Sequence, residues 1–139
     1  MTGGNDDSVV MIDTSAWIEF LRDGDPAVSA TVEHLVGGKA VTCDVVVMEV
    51  LAGARDDRHL AALERLLARA IRETVQSVDF EFASVLYRTA RRRGVTVRSH
   101  MDCLVAAVAM RVGVPVLHYD RDFDALASCT ELRVQRPMA

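Results

Sequence analysis

Four carboxylates stand at points of this sequence where a folding chain has little ordinary use for a charge. Asp13 closes the short apolar run at residues 9–12, and Asp120 follows the apolar run at 114–117 with two residues between. Glu49 and Asp102 each interrupt an almost wholly apolar helical stretch, over residues 45–54 and 101–110. Each acid has an ordinary explanation when taken singly. An Asp after a strand forms turns or caps helices, Asp102 would sit well with the dipole of a first helical turn, and Glu49 could partner Arg55 or Arg98. Taken together they say more, because a buried charge is normally paired or bound to metal. Carboxylates gathered in one place repel, and hard divalent ions with oxygen ligands supply the missing positive charge. Such ions activate water and support in-line displacement at phosphorus. The chemistry the four acids point to is metal-assisted hydrolysis of a phosphate ester.

The elements around them alternate. Strands are expected at residues 9–12, 40–43, 74–78 and 114–117, with an edge strand at 132–134. A short helix follows Asp13, with Thr14 and Ser15 as caps, and ends at Gly24 and Pro26; Pro26 opens a second helix carrying Val28, Val32, Leu35 and Val36. Asp44 is placed to cap a helix over 45–54. Residues 57–70 form an amphipathic helix, 79–93 a helix running into Gly94, and 101–113 a strongly apolar one. Strands alternating with helices imply a mostly parallel sheet covered on both faces. In such sheets ligands bind beyond the carboxyl ends of the strands, where Asp13 and Asp120 lie.

The bulk composition narrows the classes. A chain of 139 residues, half of them hydrophobic, suits a single domain, expected over residues 8–135 after a polar leader at 1–7, and is too apolar for intrinsic disorder. A net charge of −4 gives no general affinity for a phosphate backbone, so any hold on nucleic acid must come from metal and a few local cations. Cys43, Cys103 and Cys129 are odd in number and far apart, which excludes a disulfide framework or a zinc spacing. The acidic N-terminus does not read as a secretory signal and no stretch is long and apolar enough to span a membrane, so a cytoplasmic protein is expected. His34, His59, His100 and His118 have no matching Ser or Cys constellation for a nucleophilic triad.

The segments MIDTSAWIEFL, VVMEVLAGA, SHMDCLVAAVA and VLHYDRDFDAL, in that order, resemble the motif set of PIN domains, and in detail that of VapC-type toxins of VapBC toxin–antitoxin pairs. The resemblance runs from about Val9 to Val134. It implies a three-layer α/β/α sandwich with a mostly parallel central sheet, and a metal-dependent endoribonuclease that cuts single-stranded or loop RNA to leave a 5′-phosphate and a 3′-hydroxyl. It implies that Asp13, Glu49, Asp102 and Asp120 line the active site. Asp13 and Asp102 would be the principal Mg2+ or Mn2+ ligands, with Asp120 assisting directly or through water. Asp122 is a fifth acid, and the choice between Asp120 and Asp122 as the fourth member stays open. Thr14 and Ser15 match hydroxyl positions that orient a carboxylate or a water, a role compatible with capping. The implied partners are RNA, a VapB-type antitoxin and a second copy of the chain.

Arg98 and Arg121, next to the acidic motifs, are the candidate RNA contacts; Arg91, Arg92 and Arg93 also suit ordinary helix-end chemistry before Gly94. Trp17, Ile18, Phe20 and Leu21 crowd one short helix beside Asp13, either as core or dimer residues or as a docking face for an antitoxin. Two rival functions remain. An aspartyl-phosphate phosphatase would need a second Asp two residues after Asp13, where Ser15 stands. A catalytically inert PIN-like binding module would commonly lack some of the acids, and this chain keeps all four.

Overall fold

The computed structural model describes residues 8–138, so the expected polar leader at 1–7 lies outside the described residues. Four strands, β1 (Val10–Ile12), β2 (Ala40–Cys43), β3 (Ile71–Glu73) and β4 (Val116–Leu117), form one sheet in the order β3-β2-β1-β4. All three pairings are parallel. The chain therefore steps outward from β1 through β2 to β3 and returns to place β4 on the other side of β1. The reversal point lies between β1 and β4, where the loops leaving the two strands diverge and open a crevice.

Seven helices are seen among the described residues: α1 (Thr14–Leu21), α2 (Pro26–Leu35), α3 (Asp44–Ala52), α4 (Asp57–Leu67), α5 (Ser77–Arg92), α6 (His100–Val112) and α7 (Arg121–Cys129). With the sheet between them they make the three-layer α/β/α sandwich expected of this pattern. β1, β2 and β4 are buried at every position, as all-parallel strands covered on both faces require. α6 is buried at every residue from Asp102 to Ala109, the mark of a helix packed on all sides. It packs against α5, α3 and α7, and Gly113 ends it with a φ of 78°, the left-handed geometry that favours glycine.

Four local expectations are corrected. The strand expected at 74–78 is displaced to Ile71–Glu73, and α5 begins at Ser77. Side chains capture the donors a longer ladder would have used: Asp44 Oδ2 accepts from the Val75 N–H at 3.1 Å and Asp79 Oδ2 from the Gln76 N–H at 2.8 Å. Asp44, expected to cap α3, instead is its first residue and turns its carboxylate to Val75 and to Arg72 Nε, 2.8 Å away. The edge strand at 132–134 reduces to a single parallel bridge between Val116 and Val134. The helix over 57–70 ends at Leu67, since residues 68–70 turn into β3.

One brace ties the start of α5 to the end of α6. Asp79, buried, receives Arg111 Nε at 2.8 Å and a second guanidinium nitrogen at 3.0 Å, and the same nitrogen also donates to the Thr74 carbonyl. Burial by itself would raise the Asp79 carboxyl, but Arg111 and the Gln76 N–H outweigh it and hold it below the usual carboxylate range. Removing one partner strands a buried charge. Arg111→Ala is therefore expected to cost about 3 kcal/mol in urea unfolding at neutral pH, and an unchanged midpoint would rule out the brace.

Candidate active site

Asp13 is the first residue beyond β1 and the N-cap of α1. Its Oδ2 accepts from both the backbone N–H and the hydroxyl of Ser15, at 3.0 and 2.6 Å. Its Oδ1 is buried with no hydrogen-bond partner among the described residues. Capping explains one oxygen of this carboxylate and leaves the other without a hydrogen bond among the described residues. Burial, and behind it the charge of Glu49, outweighs the Ser15 and Thr14 hydrogen bonds and raises the Asp13 carboxyl above its ordinary value.

Asp102 enters from α6, whose N-cap is Ser99; the Ser99 hydroxyl accepts from the Asp102 N–H at 3.3 Å. Asp102 Oδ2 is the second buried carboxylate oxygen without a partner. Burial, then the charges of Asp13 and Asp120, a hydrogen bond to Asp120 and the charge of Asp122 push the Asp102 carboxyl up to about 8. Two orphaned acidic oxygens in one crevice are expensive in a folded protein unless a proton or a cation answers them.

Asp120 leaves the β4 loop as the N-cap of α7, its Oδ1 accepting from the Asp122 N–H at 2.9 Å. Its own N–H donates to His118 Nδ1 at 3.1 Å. Oxygens of Asp102, Asp120 and Asp122 lie within 4.8 Å of one another. Asp122 is the least available of the three. Its Oδ2 accepts from the Arg98 backbone N–H at 3.0 Å and its Oδ1 from Arg98 Nε at 3.3 Å, so it fastens the segment before α6 onto α7. Asp13 adds an oxygen without a partner among the described residues and a charge felt by Asp102. An all-oxygen donor group with two unanswered carboxylate oxygens fits a hard divalent cation.

Glu49 is half-buried on α3 and accepts from the Thr14 hydroxyl at 2.6 Å. No ion pair joins it to Arg55 or Arg98 among the described residues. The structure thus gathers Asp102, Asp120 and Asp122 tightly, with Asp13 near enough for its charge to act on Asp102 and Glu49 hydrogen-bonded to Thr14, the residue after Asp13. Arg98 reaches the cluster as a strut between acids, with a guanidinium nitrogen 3.7 Å from Asp120, while Arg121 is exposed at the first position of α7. Arg91, Arg92 and Arg93 are exposed at the end of α5, with Arg91 over the Tyr87 ring. Ser99 was missed by sequence reasoning, although S-x-x-D just before an apolar run is a recognised capping pattern. The linkage of His118 to Asp120 has no comparable signal.

The PIN domain model matches residues 10–128. Ribonuclease VapC11 of Mycobacterium tuberculosis is 41% identical over 129 residues, which are 90% of this chain and 96% of that protein. This chain belongs to the VapC ribonucleases of the PIN-domain family. Ribonuclease VapC21 of the same species is 31% identical over 116 residues, 79% of this chain and 82% of the relative. Among solved structures, VapBC2 from Rickettsia felis, bound to a promoter DNA fragment, superposes with a TM-score of 0.75 at 13% identity, covering 91% of this chain and 97% of that one. The sarcin–ricin-loop-cleaving toxin VapC20 of M. tuberculosis superposes at 0.61 with 23% identity, over 89% and 98% of the two chains. At those identities the superpositions speak for the PIN fold alone.

For a VapC protein with this acid cluster, the raised carboxyls have a consequence for stability. Unfolded carboxyls titrate near about 4, so Asp13 and Asp102 both bind protons more tightly in the folded chain. Their contribution is fully present below the unfolded value and is lost as the pH rises toward about 8 for Asp102. In chelator, the thermal midpoint is expected to fall between roughly pH 5 and pH 8 and to level off above that. Asp102→Asn should flatten that slope and raise the midpoint at the alkaline end. A midpoint that climbs with pH would show that the acids are not crowded as described.

Proposed function

We propose that this chain is the toxin ribonuclease of a VapBC pair, a single PIN domain over residues 8–135 that hydrolyses phosphodiester bonds of single-stranded or loop RNA with Mg2+ or Mn2+. The observation that carries this reading is the pair of buried, unpartnered oxygens on Asp13 and Asp102, in a family whose members are ribonucleases. Asp13, Asp102 and Asp120 would hold the metal. When bound there, a divalent ion offsets charge on the phosphate and lowers the pKa of water.

The chain's own side chains do the rest. Ser15 fixes one oxygen of Asp13, so that the other keeps a constant direction. Thr14 does the same for Glu49, which is the group we assign to accept the proton of the attacking water. Asp122 and Arg98 together set the distance between Asp102 on α6 and Asp120 on α7. Arg121 stands at a helix N-terminus, where a cation is disfavoured by the dipole, and contact with the RNA backbone is a use that offsets this cost. Retention of all the acids weighs against an inert binding module. Among the described residues no helix is long and apolar enough to cross a membrane, and a cytoplasmic setting is part of the proposal.

Control would come from a VapB-type antitoxin. The crowded apolar helix divides: Trp17 is fully buried and Phe20 partly so, while Ile18 and Leu21 are 47% and 44% exposed. These two line a groove of about 300 Å3 with Val50 and Leu63, and Glu49 forms part of its wall. An antitoxin segment seated there would bring its own cation within reach of the acids. Apolar Phe80 and Met101, exposed on α5 and α6, give a second copy of the chain a surface to cover.

Two outcomes test the proposal. Asp13→Asn and Asp102→Asn should each lower RNA cleavage by more than about 100-fold, beyond what outer partners of a metal site cost, with circular dichroism unchanged. Full cleavage by both would end the assignment. Ile18→Glu should weaken association with the product of the neighbouring antitoxin gene by at least about tenfold in calorimetry while sparing cleavage. Unchanged affinity would move the antitoxin elsewhere.

A further inference from the structure

Tyr119 takes no part in the metal chemistry, yet it is bound more firmly to the site than an exposed residue needs to be. It lies on the β4–α7 loop between His118 and Asp120, with half of its surface, 52%, open to solvent. Its N–H donates to Ser15 Oγ at 2.8 Å, and the same hydroxyl donates to Asp13 Oδ2 at 2.6 Å. The next N–H, on Asp120, is held by His118 Nδ1, and that of Asp122 by Asp120 Oδ1. His118 is itself stacked on the fully buried Phe123 and lies 3.3 Å from Asp124. The backbone carrying the Tyr119 ring is thus tethered on both sides, one hydroxyl away from Asp13 and one peptide away from Asp120.

A loop tip has no evident folding reason to hold a large aromatic in water at this place. Tyr87, the other tyrosine, packs edge-on against His100. Phe80, the other strongly exposed aromatic, lies on α5, on the surface a second copy could cover. An aromatic ring on a tethered backbone beside the acid cluster is what stacking of an unpaired base requires, and such stacking tolerates any base because each has a π-face. The exposed Arg121, two residues on, supplies a cation for the phosphate that follows the stacked base. On an acidic protein with few phosphate contacts, stacking is also a source of affinity that does not depend on net charge.

We propose that Tyr119 is a base-stacking residue that receives the nucleobase next to the scissile phosphate and makes the enzyme select unpaired RNA. The proposal rests on the ribonuclease reading, and it adds where the selection for single strands resides. A base inside a duplex is already stacked on its neighbours and cannot also lie on Tyr119.

The test uses the full chain carrying Asp102→Asn, so that nothing is cut, with a mixed-sequence single-stranded oligoribonucleotide and its duplex as probes. Tyr119→Trp places an indole at the loop tip, against the constant background of the fully buried Trp17. Its emission should be quenched by the single strand and not by the duplex. Tyr119→Ala should weaken single-strand binding on the order of tenfold, and Tyr119→Phe by less than about twofold. In the active protein, replacing the base beside the cut by an abasic residue should slow cleavage by Tyr119 protein and have no further effect on Tyr119→Ala. Equal affinity of the Tyr119→Ala and parent proteins, or equal quenching by duplex, overturns stacking and leaves the nuclease assignment intact. Absence of both binding and cleavage in otherwise wild-type protein overturns the two together.

Discussion

The repulsion among carboxylates gathered where β1 and β4 part is the constraint on which the rest of the structure depends. Asp13, Asp102 and Asp120 come from three separate elements, with Asp122 and Glu49 close behind. Left alone, such a group would favour any arrangement that spread it apart. Much of the local hydrogen bonding acts against that tendency. Ser15 and Thr14 each hold an acid, the helix starts at α1 and α7 are capped by acids of the cluster itself, and Arg98 stands between Asp120 and Asp122. The sheet, by reversing its strand order between β1 and β4, provides a crevice where these acids can face one another without being sealed from solvent.

The acids that break apolar runs were the legible part of the site. Asp102 and Asp13 could be read from one dimension because their neighbours in sequence are also their neighbours in the core, so a misplaced charge is visible there. The parallel sheet was legible for the same reason, since β1, β2 and β4 are short runs of uniformly apolar residues. What could not be read depends on atoms brought together from distant positions. Asp122 meets the backbone N–H of Arg98 across 24 residues of sequence, and a backbone donor leaves no trace in residue type. Arg98 therefore read as a cation for RNA or a partner for Glu49, and the acids it meets are instead Asp120 and Asp122.

The displaced third strand has the same origin. Residues 74–78 carry the β-branched, alternating character of a strand, but Asp44 and Asp79 capture the N–H groups of Val75 and Gln76 and start a helix instead. The true strand, Ile71–Glu73, is an edge strand with little burial, and so lacks the apolar run that would have announced it. Its charged Arg72 and Glu73, together with its shortness, guard the open edge of the sheet against pairing with another chain. In the first helix, four apolar residues looked alike, and only the placement of α1 between the core and the groove separates Trp17 from Ile18.

The helix that carries Asp102 is buried along eight consecutive residues, and this governs how the site can be controlled. Amide protons in such a segment exchange with solvent mainly when the whole domain opens. The acid cluster therefore has no hinge or lid of its own beneath it, and its floor is as durable as the fold. A protein built this way cannot be silenced by loosening its centre at small cost. Silencing it calls for something laid over the crevice from outside, and recovery of activity is then as quick as the removal of that cover.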